Sequence, residues 1–504
     1  MKENSIKNQY DILIIGSGLG GLMSAFLLSK HGYKVCILEK NSKLGGTLQA
    51  YKRNGRMLGT GMHYIGSLDK GQMMHNIFKY FGLFDGIEYQ RMDDDGFDVF
   101  NIGGKEIKYP MGLNNLRRKL YDYFPNEKEA IDRYITGIVN TVKEQDVYSL
   151  NNPDEAQNSS SSYLRKNAWG FICSLTENSE LRNAMAALNF VYAGKKESTP
   201  LYNHALINYY FISSSYRIVG STQLLADRLA EQIKSYGGTV INRQEVKEFI
   251  FDDNKLTGVR TASGEEFYAD NFISNAHPTT TMSWIPEGKI KKSYRNRLTG
   301  LKDTLSAFSL HLILKPDKVK YRNYNYNFYK NNDVWYASSY DEKKWPEHYF
   351  VHWPANTKNP KYVDTVTLLT HMKYEEVEKW SNLPIKRRGE EYEKFKKEKA
   401  EKLINLVAKQ FPEFKENLET YYVATPLSFK DYIGSPSGSM YGTERDYRRA
   451  FESYISHKTK IPNLFLTGQN LNLHGMLGVS LSSLITSGEF VGLKKLLKEV
   501  RETI

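Results

Sequence analysis

Two sets of residues in this sequence have the types and spacing to do chemistry. The first is Gly16-Ser17-Gly18-Leu19-Gly20-Gly21, a G-x-G-x-x-G turn, followed about twenty residues later by an acid, Glu39. In this pattern Gly16 permits a tight turn and Gly18 lets a pyrophosphate approach the backbone. Gly21 lets a helix pack closely on a strand. The opening N–H groups of the helix, from Leu19 and Gly20 onward, present unpaired donors and a positive dipole end to phosphates. Glu39 can accept bonds from ribose hydroxyls. The second set is a scatter of histidine and tyrosine among glycines: His63 and Tyr64 in GTGMHYIG at 59–66, and His474 in HGMLGVS at 474–480. These side chains can donate or accept a proton or orient a substrate. No Ser-His-Asp set, carboxylate pair or metal-ligand spacing accompanies them, and Cys36 and Cys173 form no C-x-x-C. Chemistry built this way needs a bound cofactor to carry it.

The elements that must position these groups follow from hydrophobic pattern. Ile12 to Ile15 is a β-branched run suited to a parallel strand buried on both faces. Leu22, Ala25, Leu28 and Ser29 have helical spacing, Gly32 closes the helix, and Val35 to Leu38 make the next strand up to Glu39. Gly45-Gly46, before Thr47, lets the backbone pass close to a ligand, and the three glycines of 59–66, with Thr60-Gly61-Met62, suit a backbone running against a flat ring system. From about Pro110 to Tyr216 the spacing is helical, broken by a polar loop at 157–162. Leu201 to Tyr216 packs a core or lines an apolar channel. Ser221 to Ser235 predicts an amphipathic helix with Leu224, Leu225, Leu229 and Ile233 on one face.

Strands follow at Thr239 to Ile241, Val246 to Phe251 and Ala269 to Ala276, so the opening domain resumes after an interruption. A second insertion runs from about Pro286 to Ala424, with strands at Ser306 to Leu314 and Val363 to His371. Its alternating tyrosines at 321–340 read as one face of a sheet, and 375–409 as a charged, solvated helical region. Phe465 to Thr467 is a last buried strand meeting Gly468, where α/β sheets bind ligands. A helix begins near Gly478 and runs toward Leu496, its N-terminus able to face a ring that gains negative charge.

The bulk properties bound the class. With 504 residues the chain holds two or three domains, and 40% hydrophobic with 25% charged residues is ordinary for a globular protein. The net charge of +12 is spread along the chain without a basic block, which argues against nucleic acid. No apolar stretch approaches the roughly eighteen residues of a spanning helix. The expected location is therefore cytoplasmic, at most peripheral on the inner face of a membrane.

Taken together, the motifs resemble those of FAD-dependent amine-oxidase-type flavoproteins, specifically the phytoene desaturase, carotene isomerase and retinol saturase group. The carrying residues are GSGLGG with Glu39, KLGGT at 43–47, GTGMHYIG at 59–66, GST at 220–222 with GGTV at 237–240, and ISNAHP at 273–278. ATPLSFKDYIGSPSGSMYG at 424–442 and NLFLTGQNLNLHGMLG at 463–478 complete the set. The HYIG stretch, HWPANTKNP at 352–360 and Gly468-Gln469 lean toward the retinol saturase branch. Many relatives carry Asp after that glycine; Gln469 keeps hydrogen bonding but lacks the charge.

The resemblance implies an α/β fold: a Rossmann-type FAD-binding domain from 1–110, 216–285 and 426–504. A helical, membrane-facing lid at 111–215 and a substrate-binding insertion at 286–425 would form an inserted α+β lid over an apolar tunnel. It implies FAD held by Gly16, Gly18, Leu19, Gly20, Gly21, Glu39 and Lys40, with Gly45, Gly46, Thr47, Thr60, Gly61 and Met62. Val246 would neighbour the adenine. Asn275, Gly468 and Gln469 would contact the ribityl-phosphate side, and Met476, Leu477, Gly478 and Val479 would open the helix facing the ring. His63 and Tyr64, with His474, are the catalytic candidates, and no metal is expected.

The implied activity is hydride transfer at flavin N5 to or from C=C/C–C bonds of a long polyene-type lipid. Redox-neutral cis–trans isomerisation, amine oxidation and a scaffold without turnover stay open. So does the electron partner, whether NAD(P)H, a quinone, oxygen or a carrier protein.

Overall fold

The computed structural model describes residues 9–144, 163–356 and 361–503. The polar loop expected at 157–162 and the end of the 352–360 stretch lie outside the described residues. The first sheet has seven strands, centred on Gln9–Ile15. Val35–Leu38 and Thr239–Ile241 pair in parallel on one side of it. Glu266–Ser274 pairs in parallel on the other side, and its last residues, Phe272 to Ser274, pair in parallel with Leu464–Leu466. Lys255–Thr261 and Val246–Asp252 add an antiparallel edge. The central strand alternates between two cores. Ile12 and Ile14 face the helices Leu19–Lys30, Gln223–Ser235 and Gly475–Val491, while Leu13 and Ile15 face Phe249, Phe267 and Phe272. Because both faces are covered, the strand is apolar throughout rather than alternating.

The second sheet also has seven strands, and its composition departs from the expected boundaries. Asp98–Ile102 and Lys105–Tyr109, expected with the nucleotide-binding region of 1–110, pair with each other and join Asn325–Tyr329 in this second sheet. His348–His352, Thr365–Met372, Ser306–Leu314 and Leu418–Ala424 complete it. The helix Pro426–Ile433 begins in a capping box at Thr425 and packs on this sheet as well.

The two-residue period of a strand decides what each face of the second sheet presents. Phe308, Leu310, Leu312, Tyr349, Val351, Val366 and Leu368 enter a core beneath the helix Glu390–Val407. Their alternates on the opposite face include His311, His348, Phe350, His352 and His371.

Three local expectations are corrected. Leu224 is 39% exposed, because it precedes Leu225 and consecutive residues lie about 100° apart on a helix; Leu225, Leu229 and Ile233 are buried, with Ala226 and Ala230 beside them. Residues Val334–Ser338 form a 3₁₀ turn capped by Asp333 rather than a strand, although Asn325–Tyr329 is a strand as read. The last long helix starts at Gly475, not Gly478, and ends at Gly492 (φ +94°), where a second helix, Leu493–Glu502, begins. Among the described residues no helix is long and apolar enough to cross a membrane.

Candidate functional site

The glycines scattered through the sequence meet at the end of the first sheet. Gly45 pairs with Gly18 as a parallel bridge, and its N–H donates to the Ser17 carbonyl at 3.0 Å. A Cβ on Gly46 would lie 3.1 Å from Gly18 Cα, and one on Gly20 would lie 2.9 Å from Gly468 Cα. Neither pair of backbones could approach this closely with side chains present. Asn275 reaches between Gly18, Gly20 and Gly468 and ties the three strand ends together. The helix Gly475–Val491 crosses behind, where Ser483 Oγ donates to the Gly20 carbonyl at 3.2 Å. Gly21 is needed for packing, since a Cβ there would strike the Gly16 carbonyl.

Glu39 is 5% exposed and anchors this cradle. Its Oε2 accepts from Ser17 N at 2.9 Å and Ser17 Oγ at 2.7 Å, while Oε1 accepts from Asn41 N at 2.8 Å. A carboxylate offers about four acceptor positions, so room for a ribose hydroxyl remains. Val246 is buried close by, since Gln244 N donates to the Glu39 carbonyl at 2.8 Å. Lys40 departs from its expected place. Its ammonium donates to the Asp431 carbonyl at 2.7 Å and pins the helix Pro426–Ile433 against the cradle.

Beyond the cradle, Thr47, Thr60, Gly61 and Met62 form one wall of a cavity of about 140 Å³. Thr60 Oγ1 donates to the carbonyls of Thr47 and Gln49, which fixes that wall. Met476 and Leu477, at the start of the helix Gly475–Val491, form another. Gly478 and Val479, expected there too, instead pack inward: a Cβ on Gly478 would strike the Leu473 carbonyl, and Val479 belongs to the helical core. Gln469 faces a separate small polar pocket beside Glu444 and Arg445.

Phe190, Ile207, Phe211, Phe350, Leu369 and Met440 make the remaining lining mostly apolar, and among the described residues it includes no acidic side chain, Lys or Arg. The helix Leu201–Ser213 therefore does both things its composition allowed: it packs a core and lines the cavity. A wider groove of about 940 Å³ shares Thr47, Thr60 and Phe429 with the cavity. It runs outward past Tyr51, Lys386 and Tyr432.

All three catalytic candidates line this cavity. The His63 ring lies 4.9 Å from that of His352, and burial, helped by His311 and Arg217, holds its pKa down to about 3. His63 is thus a neutral hydrogen-bonding group and not a reservoir of acidic protons. His474 is likewise held down to about 4 by burial, and its Nε2–H donates to the Val191 carbonyl at 2.9 Å, which orients the ring against Tyr441. Tyr64 differs. It stacks on Phe211 at 4.3 Å, and its hydroxyl donates to Asp98 Oδ2 at 3.0 Å.

Asp98 was not legible as a site residue within the acidic run at 93–98. It is fully buried, and burial raises its carboxyl to about 7 against the opposing pull of Asn325, Tyr64 and Arg217. Arg217, 1% exposed, donates to Tyr321 Oη, the Arg322 carbonyl and Asn325 Oδ1 at 2.8–3.0 Å. A sequence signal for both exists: each is a charge inside an otherwise apolar strand run, FDVF and YRIV.

A glycine cradle at the ends of parallel strands, opening on a mostly apolar cavity, defines a Rossmann-type nucleotide-binding fold with the architecture of amine-oxidase-type flavoenzymes. The model of the NAD(P)-binding Rossmann-like domain matches residues 14–81. Among solved structures, a putrescine oxidase variant superposes with a TM-score of 0.63 at 14% identity, covering 96% of this chain and 99% of its own. Cyclohexylamine oxidase from Brevibacterium oxydans superposes with a TM-score of 0.61 at 13% identity, covering 98% of this chain and 100% of its own. These likenesses establish the fold and, with the Rossmann-like match, point to a flavin cofactor.

In sequence the chain is similar to retinol reductases and carotene isomerases. It is 27% identical to the all-trans-retinol 13,14-reductase of Rattus norvegicus over 528 aligned residues, spanning 96% of this chain and 86% of that protein. It is 24% identical to the chloroplastic prolycopene isomerase of Arabidopsis thaliana, spanning 93% of this chain and 80% of that protein.

Proposed function

We propose that the protein is an FAD-dependent oxidoreductase that adds or removes two hydrogens at a C=C/C–C bond of a long apolar polyene lipid. The observation that carries the reading is the junction of the glycine cradle with a cavity whose lining has no acidic side chain, Lys or Arg among the described residues. The acceptor position left on Glu39, the close backbones at Gly18, Gly20, Gly46 and Gly468, and the helix N-terminus at Gly475 suit FAD. When bound, that cofactor supplies hydride transfer.

The chain's own residues do the rest. Phe190, Phe211, Phe350 and Leu369 exclude water, and His63 and His474 orient the substrate as neutral donors or acceptors. A cationic amine would find no carboxylate in this lining to pair with. The retinol reductase relative favours a polyene alcohol as substrate. The prolycopene isomerase relative favours a second reading, redox-neutral isomerisation.

The mouth of the wide groove supports docking on an anionic bilayer, because Ile385 and Tyr432 are exposed along a lining that also carries Lys386, Lys396 and Lys397. Lipid would then enter without crossing water.

The test is to load the protein with FAD, reduce it chemically without oxygen, and add all-trans-retinol or a carotenoid. Reoxidation of the flavin with a product two mass units heavier supports saturation. A product of unchanged mass supports isomerisation. Oxidised enzyme giving a product two units lighter supports desaturation. A flavin spectrum and product pool unchanged by every polyene tried would refute the proposal.

A further inference from the structure

The cavity has one hydroxyl with a buried acid directly behind it. Tyr64 lines the cavity, and its hydroxyl also lies within electrostatic reach of Tyr210 and Tyr441, two other lining residues. Asp98 is seated on the strand Asp98–Ile102, which binds Lys105–Tyr109 on one side and Asn325–Tyr329 on the other. The groups facing its carboxyl are therefore Tyr64 from the loop before Ile65–Gly66, Tyr109 and Asn325 at its own register on the two neighbouring strands, and Arg217 from Ser215–Ile218. Tyr109 gives its hydroxyl to the Ala184 carbonyl. Tyr329 lies further along the sheet and bonds Ala187 at 3.0 Å.

Asn325, at the same register on the neighbouring strand, draws the Asp98 carboxyl down together with Tyr64, and neither Asp98 Oδ1 nor Asn325 Nδ2 has another partner among the described residues. Of the groups that act on this carboxyl, Tyr64 alone lines the cavity, so the Tyr64–Asp98 bond is the link between the buried acid and the space a substrate would occupy.

We propose that Tyr64 and Asp98 form a proton-delivery pair: Tyr64 protonates one alkene carbon of the substrate, and Asp98 resupplies Tyr64. This rests on the oxidoreductase reading, taken in its saturating direction. Hydride from the reduced flavin forms one C–H bond, and the Tyr64 phenolic proton forms the other on the adjacent carbon. The alkene π pair is consumed and the flavin loses two electrons. The Tyr64 oxygen then takes the carboxylic proton of Asp98, leaving a carboxylate opposite the Arg217 guanidinium, and a solvent proton restores the acid.

The pair works as a donor only while Asp98 is protonated. In that state Asp98 donates to the Tyr64 oxygen, and the Tyr64 O–H is free to turn into the cavity. When Asp98 is ionised, it captures that O–H at the 3.0 Å contact seen here. Burial sets the changeover near neutral pH, so delivery is expected to run at full rate below about 7 and to fall tenfold per unit above it.

The experiment is anaerobic reoxidation of the reduced FAD-loaded protein by all-trans-retinol, followed from pH 6 to 9. Wild type is expected to show one inflection near 7. Asp98→Asn should lose the inflection and react at least tenfold slower at pH 6, while Asp98→Glu should restore a pH-dependent rate. Tyr64→Phe should bind FAD normally but react about a hundredfold slower. An Asp98→Asn rate that keeps the wild-type pH profile would overturn the pair while leaving the oxidoreductase reading intact. Wild type that no polyene reoxidises would overturn both.

Should Asp98→Asn fail to fold, the infrared carbonyl band of a buried carboxylic acid in wild type provides the second measurement. Such a band disappearing with a midpoint near 7, and moving in Tyr64→Phe, supports the pair. No such band at pH 6 overturns it.

Discussion

Lowering the pH from 7 to 5 is expected to remove most of this protein's stability, through histidines that the fold keeps neutral. His204, His311, His348, His352 and His371 are each buried, at most 7% exposed. Burial holds His204 down to about 3, His311 and His371 down to about 4, and His348 and His352 well below the ordinary range. In the unfolded chain each titrates near its ordinary value of about 6.5. A base depressed in the folded state contributes stability that is complete above the unfolded pKa and is lost as pH falls below it.

At pH 5, about 1.5 units below the unfolded value, each histidine costs about 2 kcal/mol, at about 1.4 kcal/mol per unit. Five together cost about 10 kcal/mol, and the cavity histidines His63 and His474, held down likewise, add about 4 kcal/mol, against a whole stability of about 5–15 kcal/mol for a typical protein. Asp98 opposes this. Its folded carboxyl is raised to about 7, so its contribution grows as pH falls, by about 2–3 kcal/mol between pH 7 and 5. The net loss is about 11 kcal/mol.

The assay is calorimetric unfolding at pH 5.5 in two buffers of different ionisation enthalpy, together with urea midpoints from pH 5 to 8. Unfolding should take up a net of about five protons, about six from these five histidines with His63 and His474 less about one from Asp98. A urea midpoint constant between pH 7 and 5, or an uptake near zero, would refute the account of neutral buried histidines.

Three further outcomes are expected. Glu39→Gln removes the charge that holds Ser17 and Asn41 and faces the ribose site. It should weaken FAD retention by about 10- to 100-fold, from about 1.5–3 kcal/mol for a bond to a charged group, read as flavin absorbance surviving gel filtration. Gly20→Ala places a methyl 2.9 Å from Gly468 Cα and should cost about 1–3 kcal/mol along with flavin content. Gly59→Ala, whose nearest neighbour would be 3.9 Å away, should change neither in thermal scans of the purified proteins. Arg217→Met strips a buried cation from Tyr321, Arg322 and Asn325 and leaves Asp98 unopposed. A loss of about 3–5 kcal/mol in urea denaturation is expected.

The nucleotide cradle was readable because its determinants are local. A strand run, a glycine turn, a helix and Glu39 fall within thirty-odd consecutive residues, where Gly20 and Gly21 are required by close backbone contacts and Gly16 by its positive φ. The resemblance carried the remaining cradle pieces, and the structure brings Gly45, Gly46, Asn275 and Gly468 to that same point. The boundary at 110 was not readable. Whether Asp98–Ile102 joins the first or the second sheet depends on its pairing with Asn325–Tyr329, more than two hundred residues away, and no local pattern encodes that partner.

By itself the sequence determined the strand, glycine turn and helix of a Rossmann-type nucleotide-binding fold and placed His63, Tyr64 and His474 in glycine-bounded loops. Those features depend on neighbours a few residues apart. Tertiary structure alone decided that Tyr64 would meet Asp98 and that four histidines would share one face of the second sheet, and so which groups stay neutral. Protonation follows from burial and from charges brought close in space, and both are fixed only when distant strands pair.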